Sequence, residues 1–440
     1  MKKIAILGFA REGRSILKFL KKDKEFKNAE IWILDRSSKI ETPAGIKKIT
    51  GSDYLKNLEK FDIIFRTPGI PYLLPEIQKA KKSGVKISSA TNLFFEQFHG
   101  TIVGITGTKG KGTTSTILYQ ILKTAGKKVF LAGNIGKPAL DILPNTDKKS
   151  IVVFELSSFQ LQDIQNSPSI AAVLDIFPDH LDAHKNVNEY YEAKANIGRY
   201  QKIGDKMFFF SAKGGSASGG KNSILSQRVA SKGKGEKISV NEKLFKLFSP
   251  EDLLVKGGHN FKNAVMAATI AKSLGVSAKT ILKTVSKFRG NEHRLELARR
   301  IVKNGTEICF YNDSASTNPQ TAAAAIEAFQ NERKILIAGG QDKNLDYKPL
   351  AKALKNSGTE LVVLLGENRN KIARETRKSG VKIRFARTLK DSVDVAYETA
   401  MKISCLSIVI FSPAATSFDM FENYADRGEK FKKIVMGLIQ

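Results

Sequence analysis

The chain has 440 residues, 42% of them hydrophobic and 8% aromatic, which excludes a disordered chain and gives room for two or three packed domains. It holds only two cysteines, Cys309 and Cys405, which excludes a disulfide framework and fits a reducing compartment. A formal net charge of +29 leaves three readings: a nucleic-acid partner, a lysine-rich solvated surface, or a field that draws in a small polyanionic substrate.

In chain order, KIAILGFA (residues 3–10) predicts a buried strand and GRSILKFLKK (13–22) a helix. AEIWILDRS (29–37) and FDIIFRTPGIP (61–71) predict two more strands, the second ending in proline-glycine turn chemistry. Charged Arg11 and Glu12 cut the first apolar run too short for the core of a signal peptide. This segment closes near NLFFEQF (92–98). A second unit opens with TIVGITGTKGKGTTST (101–116), read as strand, glycine-rich loop and helix, followed by strands in SIVVFELSSFQL (150–161) and IAAVLDIFPDHLDAH (170–184). Ser211–Ser223 is rich in glycine and serine and predicts a loop. A helix enters through His259 and Asn260, and this unit closes near residues 288–296. RKILIAGG (333–340), ELVVLLGE (360–367) and LSIVIFSPA (406–414) predict the strands of a third parallel α/β segment. No apolar stretch is long enough to span a membrane, and no nucleic-acid-binding motif appears.

The loop after the fourth of these strands carries the chemistry. Backbone N–H groups of Gly107, Thr108, Lys109 and Gly110, added to a helix N-terminus, make a pocket for phosphate oxygens, with Lys111 as the point charge. The pattern departs from the usual phosphate loop twice. Ile105 stands where a glycine belongs, and Gly112 stands where a magnesium-binding hydroxyl belongs. Thr113 is the neighbouring hydroxyl that takes that place, or a bound water does, and Thr114 follows it. Read alone, the glycines also suit an ordinary tight turn. Glu155 ends the next strand, where a second metal ligand is placed in such sites, and His180 and Lys194 lie further on. The segment GFAREG holds Gly8 and Gly13 but Ala10 between them, which argues against a dinucleotide site.

Taken together, GTKGKGTT, NIG, ELSSFQL, DHLDAH, EAK, GGHNFKNA, HRLE and NDSASTNP, in this order, resemble the Mur ligases, the ATP-dependent amide ligases of peptidoglycan precursor synthesis. TPGIP (67–71) and SPAATSFDMFENYADRGEKF (412–431) look like the D-glutamate-adding members. The resemblance implies an α/β protein of three domains: a Rossmann-like domain at 1–95 for the UDP-substrate, a central P-loop-type ATPase domain with a parallel sheet at 96–293, and a Rossmann-like acceptor domain at 294–440. It implies an acyl phosphate made from ATP and UDP-N-acetylmuramoyl-L-alanine, then attacked by D-glutamate. It also implies two Mg2+ ions held by Glu155, His180 and Lys194, the last carbamylated, with Thr113 as the hydroxyl this sequence itself offers beside them.

By the same resemblance, Lys111, Glu155, His180 and Lys194 are the catalytic set. Gly107 to Thr114, Asn260, Asn263, Arg294 and Asp313 bind ATP, with His293 beside them. Arg11, Glu12, Asp35, Arg36, Thr67, Asn134, Ser157 and Gln160 bind the UDP-substrate. Lys343, Ser417 and Tyr424 bind the acceptor. Ala315 and Asn92 replace a lysine and an acidic residue common in relatives. The resemblance further implies a cytoplasmic monomer without stable membrane association or nucleic acid. The rival readings are another Mur ligase, a folylpolyglutamate synthase-like ligase, a nucleic-acid-stimulated P-loop ATPase and a non-catalytic nucleotide-sugar binder.

Overall fold

The computed structural model describes the chain except residues 135, 180–183, 211–219, 256–257, 304, 330–331, 344, 404–405 and 439–440, with only the backbone of 220–224. The chain divides into two compact units, Met1–Ser249 with Gly258–Val285, and Pro250–Gly257 with Ser286–Gln440. It is a mixed α/β protein whose described strands form three sheets. Among the described residues, no helix is long and apolar enough to cross a membrane.

The first unit holds two sheets. One contains β1 (Lys3–Leu7), β2 (Glu30–Asp35), β3 (Lys47–Thr50), β4 (Ile63–Arg66) and β5 (Lys86–Ser88), in the order β3-β2-β1-β4-β5, all parallel. The other contains β6 (Thr101–Thr106), β7 (Val129–Gly133), β8 (Ile151–Glu155), β9 (Ile170–Val173), β10 (Lys206–Phe210) and β11 (Glu236–Val240), in the order β11-β10-β9-β6-β8-β7, again all parallel. In both sheets the strand order reverses beside the first strand, and such a reversal opens a crevice at the carboxyl ends of the strands. One apolar cluster joins Ile4, Ile6 and Phe65 of the first sheet to Phe154 of the second through Leu93 and Phe94. Phe94 packs edge-on against Phe154 at 5.6 Å and stacks on Phe98 at 5.1 Å.

A buried ion pair crosses the same boundary. Arg66 ends β4 and its side chain is 1% exposed. It donates Nε to Asp163 at 3.0 Å, Nη1 to the Ile70 carbonyl at 2.7 Å and Nη2 to the Phe159 carbonyl at 2.7 Å. Asn92, which the sequence marks as a departure, donates to the Asp163 carbonyl at 2.9 Å and accepts from the Gln165 N–H at 3.0 Å. An ionised carboxylate has no proton for the first of these bonds.

The second unit holds one sheet of β12 (Glu296–Lys303), β13 (Thr306–Asn312), β14 (Arg333–Ala338), β15 (Thr359–Leu364), β16 (Lys382–Phe385) and β17 (Ser407–Phe411), in the order β12-β13-β17-β14-β15-β16. Cys309 and Tyr311 face one apolar cluster while Ile308 and Phe310 face the other, so helices cover both faces. Two readings from sequence are corrected. The last segment is not parallel throughout, because β12 runs antiparallel to β13; a two-residue connection permits a hairpin and no crossover. Of the expected loop at Ser211–Ser223, residues 211–219 lie outside the described part, and from Gly220 the chain is helical to Ala230. Leu225 and Val229, four residues apart, place one apolar face of that helix on the core.

Removing Arg66 while leaving Asp163 strands a buried carboxylate, whose pKa is already raised by burial. Arg66→Met is expected to destabilise the first unit by about 3–5 kcal/mol in denaturant unfolding. Arg66→Met with Asp163→Leu should recover most of that loss. A double variant no more stable than the single one contradicts the ion-pair account.

Candidate active site

The glycine-rich loop follows β6 and turns into the helix Lys111–Thr124. Gly110 is its N-cap at φ +84°, and a Cβ there would lie 2.3 Å from Asn263 Oδ1, so loop and helix Gly258–Ser273 close on each other only through glycine. Thr108 is buried. Its Oγ1 donates to the Phe177 carbonyl at 2.9 Å, accepts from the Phe177 N–H at 3.0 Å and shares a 2.8 Å bond with the Tyr190 hydroxyl. The Thr108 N–H donates to the Asp175 carbonyl at 2.9 Å. Lys109 stays exposed. The Lys111 ammonium donates to the Gly107 and Thr108 carbonyls, both at 3.0 Å.

Lys194 reaches the same carbonyl. It lies 2% exposed on the helix Val187–Arg199, and its Nζ donates to Gly107 O at 2.8 Å. Burial, and then the neighbouring Lys111 charge, hold its pKa well below the ordinary lysine value. Glu155 is buried at the end of β8, in register with Ile105 of β6, so the carboxylate and the loop open at adjacent strand ends. His180 lies outside the described residues. Gly112 and Thr113 occupy the first helical turn, half-buried. The hydroxyls of buried Thr114 and Ser115 have no hydrogen-bond partner among the described residues. Asn260 and Asn263 start the helix Gly258–Ser273, whose Lys262 pairs with Asp175 at 2.8 Å, a contact the motif reading missed.

The expected UDP-substrate residues lie at the carboxyl ends of β1, β2 and β4 and after β7 and β8. A Cβ on Gly8, at φ +91°, would lie 2.2 Å from Thr67 Oγ1, which donates to the Leu7 carbonyl. Asp35 accepts the Phe9 N–H at 2.6 Å and so holds this turn, while Arg36 is exposed. Arg11 donates to the Gly136 carbonyl, and Asn134 is exposed beside it in sequence. Ser157 caps the short helix Ser158–Leu161 in a reciprocal arrangement with Gln160. Gln160 donates to Glu12 at 3.1 Å, and burial raises the Glu12 pKa. His184, unremarked in the sequence reading although DHLDAH contains it, bonds Ser158 Oγ at 2.9 Å and Glu189 at 2.6 Å and stacks on Phe159.

In the second unit, Asp313 follows β13, Lys343 follows β14 and Ser417 follows β17, three adjacent parallel strands. Asp313 accepts from Ser412 Oγ at 2.6 Å and from the Leu295 N–H at 3.2 Å; burial pushes its pKa up to about 6. Arg294 is exposed. Lys343 is exposed over the Phe418 ring at 5.9 Å, Ser417 is buried, and Tyr424 is half-exposed with its carbonyl accepting from Ser314 Oγ. Glu292, His293 and Glu429 lie close enough to hold a cation. The Lys432 ammonium already sits 2.9 Å from Glu292 and 2.7 Å from Glu429, which makes this an ion-pair network.

The Asp313 shift has a stability consequence. Its folded pKa of about 6 exceeds the ordinary aspartate value of 3.8, so its protonated form favours the fold, and that stability is lost as pH rises from about 4 through about 6. Between those limits the unfolding free energy of Asp313→Asn should gain about 2–3 kcal/mol on the parent. A pH-independent difference between the two proteins rules out the raised pKa.

Family models match in two stretches: the Mur ligase middle domain over residues 105–271 and the Mur ligase glutamate ligase domain over 293–414. The chain is 36% identical to a UDP-N-acetylmuramoylalanine–D-glutamate ligase of Acetivibrio thermocellus, with 99% of this chain and 96% of the relative aligned. It is 34% identical to the protein of that name from Streptococcus agalactiae, over 98% and 96% of the two chains. The solved UDP-N-acetylmuramate-alanine ligase of Thermotoga maritima shares the fold, with a TM-score of 0.54 at 20% identity over 99% of both chains. Two family domains matched in order, and relatives aligned almost end to end above 30% identity, establish that the chain belongs to the Mur ligase family.

Proposed function

We propose that the protein is the ligase that joins D-glutamate to UDP-N-acetylmuramoyl-L-alanine at the expense of ATP, and that it works as a cytoplasmic monomer on these small molecules without nucleic acid. The relatives that align along nearly the whole chain carry that activity in their names. The observation that carries the reading is the convergence of the Lys111 and Lys194 side-chain nitrogens on the Gly107 carbonyl, with Glu155 buried at the neighbouring strand end. A binding protein without chemistry has no use for two lysines and a carboxylate at one loop. We divide the chain into three domains, 1–95, 96–293 and 294–440, one for each sheet, each binding one substrate: nucleotide sugar, ATP and amino acid.

In this reading the loop amides and the N-terminus of helix Lys111–Thr124 receive the phosphates of ATP. Lys111 exchanges its two carbonyl partners for phosphate oxygens, and its charge offsets what develops as the γ-phosphoryl group moves to the donor carboxylate. ADP departs and an acyl phosphate remains. The amine of D-glutamate attacks its carbonyl carbon, the tetrahedral adduct expels phosphate, and the amine proton is lost to solvent or base. Ser157 and Gln160 orient the muramoyl-alanine end beside Asn134. Arg11 and Arg36 suit the diphosphate, with Glu12, Asp35 and Thr67 shaping their turn. Asn260, Asn263, Arg294 and Asp313 hold the nucleotide; Lys343, Ser417 and Tyr424 hold the acceptor.

The donor set fits Mg2+: a buried carboxylate, hydroxyls in the first helical turn and phosphate oxygens are all hard oxygen ligands. Thr113, Glu155, His180 and a carbamylated Lys194 would hold two ions, which neutralise phosphate charge when bound. Burial lowers the Lys194 pKa and so favours the neutral amine, the form that combines with carbon dioxide. Labelled bicarbonate should give a carbon-13 carbamate signal that Lys194→Arg lacks; equal signals in both proteins dismiss the carbamate at this position.

The activity is tested by phosphate release with ATP, Mg2+ and UDP-N-acetylmuramoyl-L-alanine, offering each candidate amino acid in turn. D-glutamate should support turnover, Lys111→Ala should lose roughly a thousandfold or more in kcat, and Thr113→Val should raise the Mg2+ requirement. Turnover with another acceptor overturns the D-glutamate assignment. An unchanged Mg2+ response in Thr113→Val leaves that ligand place to water.

A further inference from the structure

Arg427 is unusual among the charged residues of the second unit. It lies on the helix Tyr424–Met436, is 1% exposed and forms no ion pair among the described residues. Its described partners are neutral: Nε donates to Ser314 Oγ at 3.0 Å, and Nη2 to the carbonyls of Ser314 at 2.8 Å and Ala415 at 3.0 Å. Nη1 is buried with no hydrogen-bond partner among the described residues. It faces Gly340, where a Cβ would lie 3.2 Å from it. Burial lowers the guanidinium pKa to about 10, with only the Asp419 charge acting against that.

The expected acceptor segments are tied to this group. Ser314, which takes two of its hydrogen bonds, donates its hydroxyl to the Tyr424 carbonyl at 2.7 Å. Ala415 leads into Thr416 and Ser417. The Gln341 N–H donates to the Thr416 carbonyl at 2.9 Å, which ties the Gly340–Lys343 segment to the same loop. A buried cation with no carboxylate in hydrogen-bond contact is costly to keep, and a further anion nearby lowers that cost.

We propose that Arg427 determines specificity for an acidic acceptor: its charge, hydrogen-bonded to no carboxylate among the described residues and set beneath the joined Gly340–Lys343 and Ala415–Ser417 segments, favours an amino acid with a side-chain carboxylate over its neutral isostere. This rests on the reading of Lys343, Ser417 and Tyr424 as the acceptor site. Arg427 is a positioning residue that acts through the backbone of both segments and through its field. In the dry interior such a field is screened far less than at the surface.

The test compares kcat/KM for D-glutamate and D-glutamine, whose side chains differ in charge and little in shape, using the full chain. Arg427→Gln removes the charge and keeps donors; it should lower the D-glutamate to D-glutamine ratio by about tenfold. Arg427→Lys should keep the ratio near neutral pH. It should then lose the ratio as pH rises from about 7 to about 10, since a buried ammonium deprotonates over that range while an arginine does not. A purely structural role lowers both acceptors together, leaves the ratio unmoved and overturns the proposal. Should Arg427→Gln fail to fold, the Arg427→Lys pH profile decides alone, and a flat ratio overturns it. Lys343→Ala serves as the companion variant. If it leaves the ratio unchanged, the acceptor-site reading fails; if it shifts the ratio while the Arg427 variants do not, only the role of Arg427 fails.

Discussion

The guanidinium of Arg66 ties the first sheet to the loop after β8. It ends β4, yet its partners Asp163 and Phe159 flank the short capped helix after β8. A buried cation of this kind tolerates little movement, because any shift leaves a charge or a carbonyl unsatisfied in a low-dielectric interior. Ser157 and Gln160 are therefore held relative to Glu12, Thr67 and Gly8 with the rigidity of a core. The cluster through Phe94 and Phe154 fills the space alongside and excludes water from the pair. This is why two sheets make one compact unit.

The chemistry then follows from where parallel strands end. In the central sheet the loop after β6, Glu155 after β8 and the segment after β9 open side by side because β6 lies between β8 and β9. In the second unit β17 lies between β13 and β14, and the segments carrying Asp313, Ser417 and Lys343 open together for the same reason. Parallel strands point all their carboxyl ends one way, so residues more than a hundred positions apart share one rim.

Basic side chains are buried at three of these places, each with a different neighbour set. Arg66 has a carboxylate, Lys194 a loop carbonyl and another lysine, and Arg427 only neutral acceptors. Burial and the neighbouring Lys111 charge lower the Lys194 pKa, whereas Arg427 holds its proton even when desolvated. The net charge of +29 thus includes a small buried set whose placement matters more than its sum.

The alternation of strand and helix, the phosphate loop and the order of motifs were legible in the sequence, because strand burial, glycine turns and helix starts depend on residues near one another in the chain. The sequence also marked Asn92 and Ala315 as departures, without a reason for either. Only the tertiary structure showed that Asn92 bridges two backbone groups seventy-odd positions away, that β12 turns back against β13, and that Arg66 and Arg427 are interior. An arginine on a strand end or in a helix reads as solvated from its neighbours alone. Its burial depends on which distant segments fold over it, and that long-range packing leaves no local pattern to read.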